Sequence, residues 1–167
     1  MYARLDGEKV FSISGVRNPA LFFPNLGKLL PGEDYILGIA SFMPDAQVAH
    51  WLKNLPSLPI PGRFNFRHLT KGLSENADGG AYYLHPTRQN IAELTQLAAA
   101  VVNNENLCSH VIAFRGHEGL FSFHDAFDCD DILISSKIPE EHVVAFSLAL
   151  GSEWKRIVNP QELWRKS

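Results

Sequence analysis

Four carboxylates, one histidine and one cysteine lie within the eight residues from His124 to Asp131. Carboxylate oxygens suit hard divalent cations, and an added imidazole shifts the preference toward zinc, manganese or iron. The candidate metal ligands are His124, Asp125 and Asp128. Asp130 or Asp131 would then position a water molecule whose acidity the ion raises. This arrangement predicts a divalent-metal-dependent hydrolase.

A simpler interpretation of the same segment needs no metal. Aspartates between strands commonly hydrogen-bond to their own backbone and tolerate turn conformations. The spacing matches no defined metal loop, since an EF-hand would need a carboxylate or amide at Ile132 and a glycine at Leu133. Carboxylates close in sequence also repel one another unless a loop draws them together. We therefore expect the segment to bind no metal tightly, and we predict no cofactor.

A basic and aromatic segment runs from Arg63 to His68, and Lys71 follows it. Such a pattern can hold phosphates while its rings stack on bases. The alternation also fits a half-buried edge strand with its phenylalanines facing inward. Because the net charge is −3, no overall field gathers phosphate backbones onto the surface. Nucleic acid is not the expected partner.

Common catalytic signatures are absent from the sequence. It has neither a Gly-Xaa-Ser-Xaa-Gly elbow nor a phosphate-binding glycine pattern. The leading hypothesis is therefore a non-catalytic protein-binding or regulatory module, for example an inhibitor or immunity-type protein, because small acidic domains suit the masking of basic enzymes. The proline-rich stretch Leu55–Gly62 and the aromatic run Leu21–Pro24 could serve as contact surfaces, although such a run more often packs inside. Convergence of His124 with two aspartates in a concave pocket would favour the hydrolase instead.

Length and composition predict one domain over residues 1–167. Hydrophobic residues make up 46% and charged residues 20%, as in ordinary globular proteins. The amino terminus holds two acids and two bases before any apolar stretch, so it does not resemble a signal peptide. Cys108 and Cys129 show no metal or redox spacing and are expected to be free thiols in a reducing compartment. We expect a soluble, cytoplasmic protein of unspecified oligomeric state, with a protein partner and no membrane.

The predicted fold class is α+β, with a mainly antiparallel or mixed sheet covered by two or three helices. Strands at 111–115 and 120–124 form a hairpin around an exposed turn that contains His117 and Glu118, and a further strand spans 132–135. Strand-like runs also occur at 10–13 and 35–40.

Helix signals occur at four places along the chain. The predicted helices span 45–55, 87–104, 139–150 and a short stretch from Asn159. The third of them has almost no polar face, which predicts that it is buried in the core or at a subunit contact. Residues 1–80 hold seven prolines and nine glycines, and the pattern indicates turns between their strands.

Overall fold

The computed structural model describes residues 10–61, 80–128 and 130–157. The basic segment at 63–68, Lys71, Cys129 and the predicted closing helix from Asn159 lie outside the described residues.

A seven-stranded sheet forms the centre of the described chain, and every neighbouring pair of its strands is antiparallel. The strands are β1 Val10–Ser14, β2 Ile36–Ser41, β3 Gly80–Leu84, β4 His110–Arg115, β5 Glu118–Phe123, β6 Ile132–Ser135 and β7 Glu153–Ile157. Their order across the sheet is β3-β2-β4-β5-β6-β1-β7. The β4–β5 connection is too short for a parallel crossover, and Gly116 adopts a φ of +57° in it, which glycine accepts without a Cβ clash.

Four α-helices are present in the described ranges: α1 Pro19–Leu29, α2 Ala46–Lys53, α3 Arg88–Ala100 and α4 Glu140–Leu150. Side chains cap the first three, since Asn18, Asp45 and Thr87 each accept a hydrogen bond from a first-turn amide. Gly151 ends α4 in the left-handed conformation. None of these helices is long and apolar enough to span a bilayer.

The main core lies between one face of the sheet and the helices, and Phe22 of α1 sits at its centre. Its ring is fully buried and packs edge-on or tilted against the rings of Phe23, Phe121, Phe123, Phe127 and Phe146. The two phenylalanines of the run at 21–24 are therefore core residues rather than a contact surface. Of its residues, Leu21 is 38% exposed.

The second face of the sheet carries a smaller apolar cluster of Ala40, Ile112 and Phe114. Ile60, from the proline-rich stretch, packs against this cluster. Side chains alternate along a strand, so His110 lies on the same face as Ile112 and Phe114. This second face is where the candidate functional site begins.

The α+β class, the hairpin of β4 and β5 and the strand at 132–135 are confirmed. The prediction that α3 reaches 104 is wrong, because Val101 is extended and Val102 is 94% exposed. Helix α4 is buried in the core on one side, at Val143, Phe146 and Ser147, whereas Leu148 is 76% exposed.

Helix α1 and strands β3 and β7 are not among the predicted elements. No helix was predicted before residue 45, because Pro19, Pro24 and Gly27, which lie inside α1, are typical of turns.

Candidate functional site

Two histidines face each other where strands β4 and β5 end. Val111 pairs with Phe123, so one step further along the ladder His110 lies opposite His124. Their rings stack with centroids 4.3 Å apart and planes 25° from parallel. His110 is buried, and Phe42 packs edge-on against it at 5.3 Å, whereas the His124 side chain is 30% exposed.

The carboxylates of Asp125 and Asp130 lie within hydrogen-bonding distance of His124. The Nδ1 atom of His124 lies 3.2 Å from Oδ2 of Asp125 and 3.0 Å from Oδ2 of Asp130. Both carboxylates remain about half exposed, at 49% and 44%. The side chains therefore converge, but at a surface rather than in an enclosed cavity.

The turn after β5 depends on His110 for its shape. The Asp125 amide donates a hydrogen bond to Nδ1 of His110 at 3.1 Å, and the Ala126 amide donates to the Ser109 carbonyl at 2.8 Å. Asp125 and Phe127 adopt φ values of +41° and +66°, a left-handed conformation that non-glycine residues rarely take. These anchors, together with the burial of Phe127, hold the strained turn in place.

His110 is neutral near pH 7. Burial, and to a smaller extent the neighbouring His124, lower its pKa to about 4, while the carboxylates of Asp125 and Asp130 oppose the shift. Because Nδ1 accepts the Asp125 amide, the proton of the neutral ring lies on Nε2.

The structure brings together part of the predicted ligand set and adds a member. One potential ligand atom each from His110, His124 and Asp125 lies within 4.8 Å of the other two. Among the described residues, this group does not include Asp128. Asp128 lines a neighbouring pocket instead. Asp131 accepts a hydrogen bond from the buried hydroxyl of Ser12 at 3.0 Å, which ties it to strand β1.

Sequence reasoning missed His110, which lies fourteen residues before His124. Equal counting from the turn would pair position 110 with position 123, because only the register shift between Ala113 and Phe114 brings His110 opposite His124. His117 is exposed in the hairpin turn, as predicted. Glu118 is only partly exposed and forms a 3.3 Å ion pair with Lys137.

An open pocket of about 420 Å³ adjoins the turn after β5. Its acidic members are Glu105, Asp125 and Asp128, all exposed, and none of the described lining residues is a lysine or arginine. The other lining residues are Asn103, Asn104, Cys108, Ser109, Ala126 and Phe127. We call this the acidic pocket.

Hydrogen bonds fix the wall opposite the turn, a 3-10 helix at Asn104–Asn106. The Asn104 side chain donates to the Arg17 carbonyl at 2.8 Å, and the Asn106 side chain donates to the Met43 carbonyl at 2.9 Å. The acidic pocket is thus framed by segments held from both sides.

Cys108 is buried at the base of this wall as a free thiol, as predicted. Burial raises the pKa of its thiol far above the usual range, so the thiolate is not populated at neutral pH. Cys108 therefore supplies no nucleophile to the pocket.

Comparison with family models, with curated proteins and with solved structures found no significant match to this chain. Function is therefore inferred from the site itself rather than from the fold.

Proposed function

We propose that the protein is a non-catalytic binding module that takes a cationic side chain of a partner protein into the acidic pocket. The observation that carries the proposal is the composition of that pocket: three exposed carboxylates and, among its described lining residues, no lysine or arginine. An inhibitor or immunity-type protein that masks a basic surface is the specific form we favour.

Arginine is the best match for this arrangement. Its planar guanidinium has five donors and pairs with carboxylates in bidentate geometry, whereas lysine offers a compact point charge. Glu105 approaches from the 3-10 helix, and Asp125 and Asp128 approach from the turn after β5. A guanidinium between these two walls would relieve the repulsion among the three carboxylates.

Exposed apolar side chains beside the 3-10 helix support a protein partner over a small cation. Val102, next to the lining residue Asn103, is 94% exposed, and Met43, whose carbonyl binds Asn106, is 61% exposed. A partner that inserts an arginine could cover both side chains, giving the apolar contact that interface cores use.

The magnitude of binding follows from the exposure of the carboxylates. Exposed ion pairs contribute only about 0–1 kcal/mol each, so a single arginine should bind weakly and with strong dependence on salt. Tight binding would require the apolar contacts as well. The carboxylates chiefly provide orientation and a fast association rate.

The test compares two short peptides that differ in one group, arginine in one and its neutral isostere citrulline in the other. Two-dimensional NMR of ¹⁵N-labelled protein should show saturable shifts at residues 103–105 and 125–128 with the arginine peptide only. Equal shifts with the citrulline peptide, or shifts confined to other parts of the surface, would refute the proposal.

A metal-dependent hydrolase is the second candidate, favoured by the convergence of His124 with Asp125 and Asp130. It ranks second because neither His124 nor Asp130 lines the pocket that would hold a substrate. Its test is hydrolysis of activated phosphodiesters and esters by zinc- or manganese-loaded protein. Activity that chelator and His124→Ala both abolish would move this candidate to first place, and its absence would exclude these substrate classes.

A further inference from the structure

We infer that His110, His124 and Asp125 form a binding site for a divalent first-row transition ion, with zinc as the preferred one. The inference does not depend on the pocket's proposed role, because Asp125 alone of these three side chains also lines the acidic pocket. It also requires no catalytic step.

The spacing of the ligand atoms carries the inference. The three atoms lie within 4.8 Å of one another, and His124 Nδ1 is already 3.2 Å from Asp125 Oδ2. Around a tetrahedral zinc with bonds near 2.0–2.1 Å, neighbouring ligand atoms are about 3.4 Å apart. The carboxylate and His124 are partly exposed, so small rotations of these two side chains can close the set around one ion.

The chemistry of the set selects the ion. Two imidazoles and one carboxylate suit zinc and its neighbours, whereas magnesium and calcium prefer oxygen ligands alone. Imidazole binds metal through a ring nitrogen in its neutral form.

Metal binding through Nδ1 of His110 would rearrange the turn after β5. Nδ1 of His110 currently accepts the Asp125 amide, so its use as a ligand releases that hydrogen bond. The stacked rings must also tilt, because ring nitrogens bind metals in the plane of the ring. Asp130, 3.0 Å from the same His124 nitrogen, then either becomes a fourth ligand or turns outward.

This inference replaces the expectation that the acidic segment binds no metal tightly. That expectation considered four neighbouring carboxylates and one histidine, and the repulsion among them weighed against a site. The hairpin adds a second, buried histidine, which contributes a neutral ligand without adding negative charge.

The test is titration of chelator-treated, full-length protein with Co²⁺, followed by displacement with Zn²⁺. We expect saturable 1:1 binding, visible as cobalt d–d absorption, and quantitative loss of that absorption on adding zinc. His124→Gln and Asp125→Asn should each weaken zinc binding at least tenfold by calorimetry, as is typical for loss of a ligand or its close support.

Matched controls are His117→Ala, which removes an exposed histidine at the other end of the same hairpin, and Asp128→Asn in the same turn. Both should bind zinc within about twofold of the unmodified protein. The test uses the His124 variant rather than a His110 variant, because His124 is partly exposed whereas the buried His110 could not be replaced without risk to the fold. The absence of 1:1 binding, or unchanged affinity in the His124 and Asp125 variants, would overturn the inference. Neither result depends on peptide binding or hydrolysis.

Discussion

The structure predicts that Phe22→Ala strongly destabilises the fold. The Phe22 ring is fully buried, and its centroid lies 5.2–6.0 Å from the described rings it touches. Those rings belong to α1, β5, α4 and the turn after β5, so Phe22 connects helix packing to the candidate site. Removing it leaves a cavity whose walls cannot collapse without moving several elements.

The expected destabilisation is about 4–5 kcal/mol. Truncation of a buried phenylalanine costs roughly 3–5 kcal/mol, and the edge-on ring contacts place this position at the upper end. A typical domain is stable by only about 5–15 kcal/mol, so the variant should remain folded with a small margin or unfold outright.

Urea denaturation followed by circular dichroism measures this loss. Leu21→Ala is the matched control, because Leu21 precedes Phe22 in α1 but is 38% exposed and should cost much less. If Phe22→Ala lost under about 2 kcal/mol, or no more than the control, the placement of α1 in the core would be wrong.

Three further predictions concern other parts of the fold. Phe146→Ala in α4 should cost about 3–5 kcal/mol in the same assay, because Phe146 is fully buried; an unchanged midpoint would contradict this. Gly38→Ala should lower the melting temperature, since the new Cβ would lie 2.8 Å from Ile112 Cγ1 and 3.1 Å from Tyr83 Cε1; an equal or higher melting temperature would contradict it. Burial lowers the pKa of His110 from 6.5 to about 4, so the unfolded chain takes up a proton first. In metal-free protein, the stability contributed by neutral His110 is complete above pH 6.5 and is lost as the pH falls toward 4. This loss lowers the free energy of unfolding by about 2 kcal/mol after allowance for solvent screening. In the same denaturation assay, the free energy of unfolding of His110→Gln should fall less steeply with pH.

Strong local signals allowed the central elements to be predicted from sequence. The hairpin of β4 and β5 has apolar runs on both sides of a glycine-containing turn, and α4 has proline before it and glycine after it. Such signals act over a few residues and survive without tertiary information.

Helix α1 could not be predicted this way because its burial outweighs its propensity. A proline inside a helix costs about 3 kcal/mol, and Pro24 and Gly27 both lie within α1. Burial of Phe22, Phe23, Leu26 and Leu29 returns about 1.5–3 kcal/mol for each side chain. That sum is visible only once the partners of the helix are known.

Strand β7 was missed for a related reason. Its sequence, Glu-Trp-Lys-Arg-Ile, carries few apolar residues because it is an edge strand, and its antiparallel pairing with β1 defines it.

Only some residues of the candidate site could be predicted from the sequence. His124 and Asp125 are evident from their clustering, but which carboxylates approach the histidine depends on the left-handed residues of the turn. His110 required the register of the hairpin, and the acidic pocket required the 3-10 helix that brings Glu105 opposite the turn. Long-range geometry of this kind leaves no local pattern in the sequence.

The proposed function requires that charge, rather than shape, makes the acidic pocket a receptor for a cationic side chain. The direct test is the affinity of the arginine peptide for the triple variant Glu105→Gln, Asp125→Asn and Asp128→Asn, which removes the three charges and keeps the side-chain shapes nearly unchanged. The matched control is Glu153→Gln, an exposed acid on β7 that does not line the pocket. We predict that the triple variant loses saturable binding while the control binds as the unmodified protein does. Binding by the triple variant with unmodified affinity would contradict the proposed function.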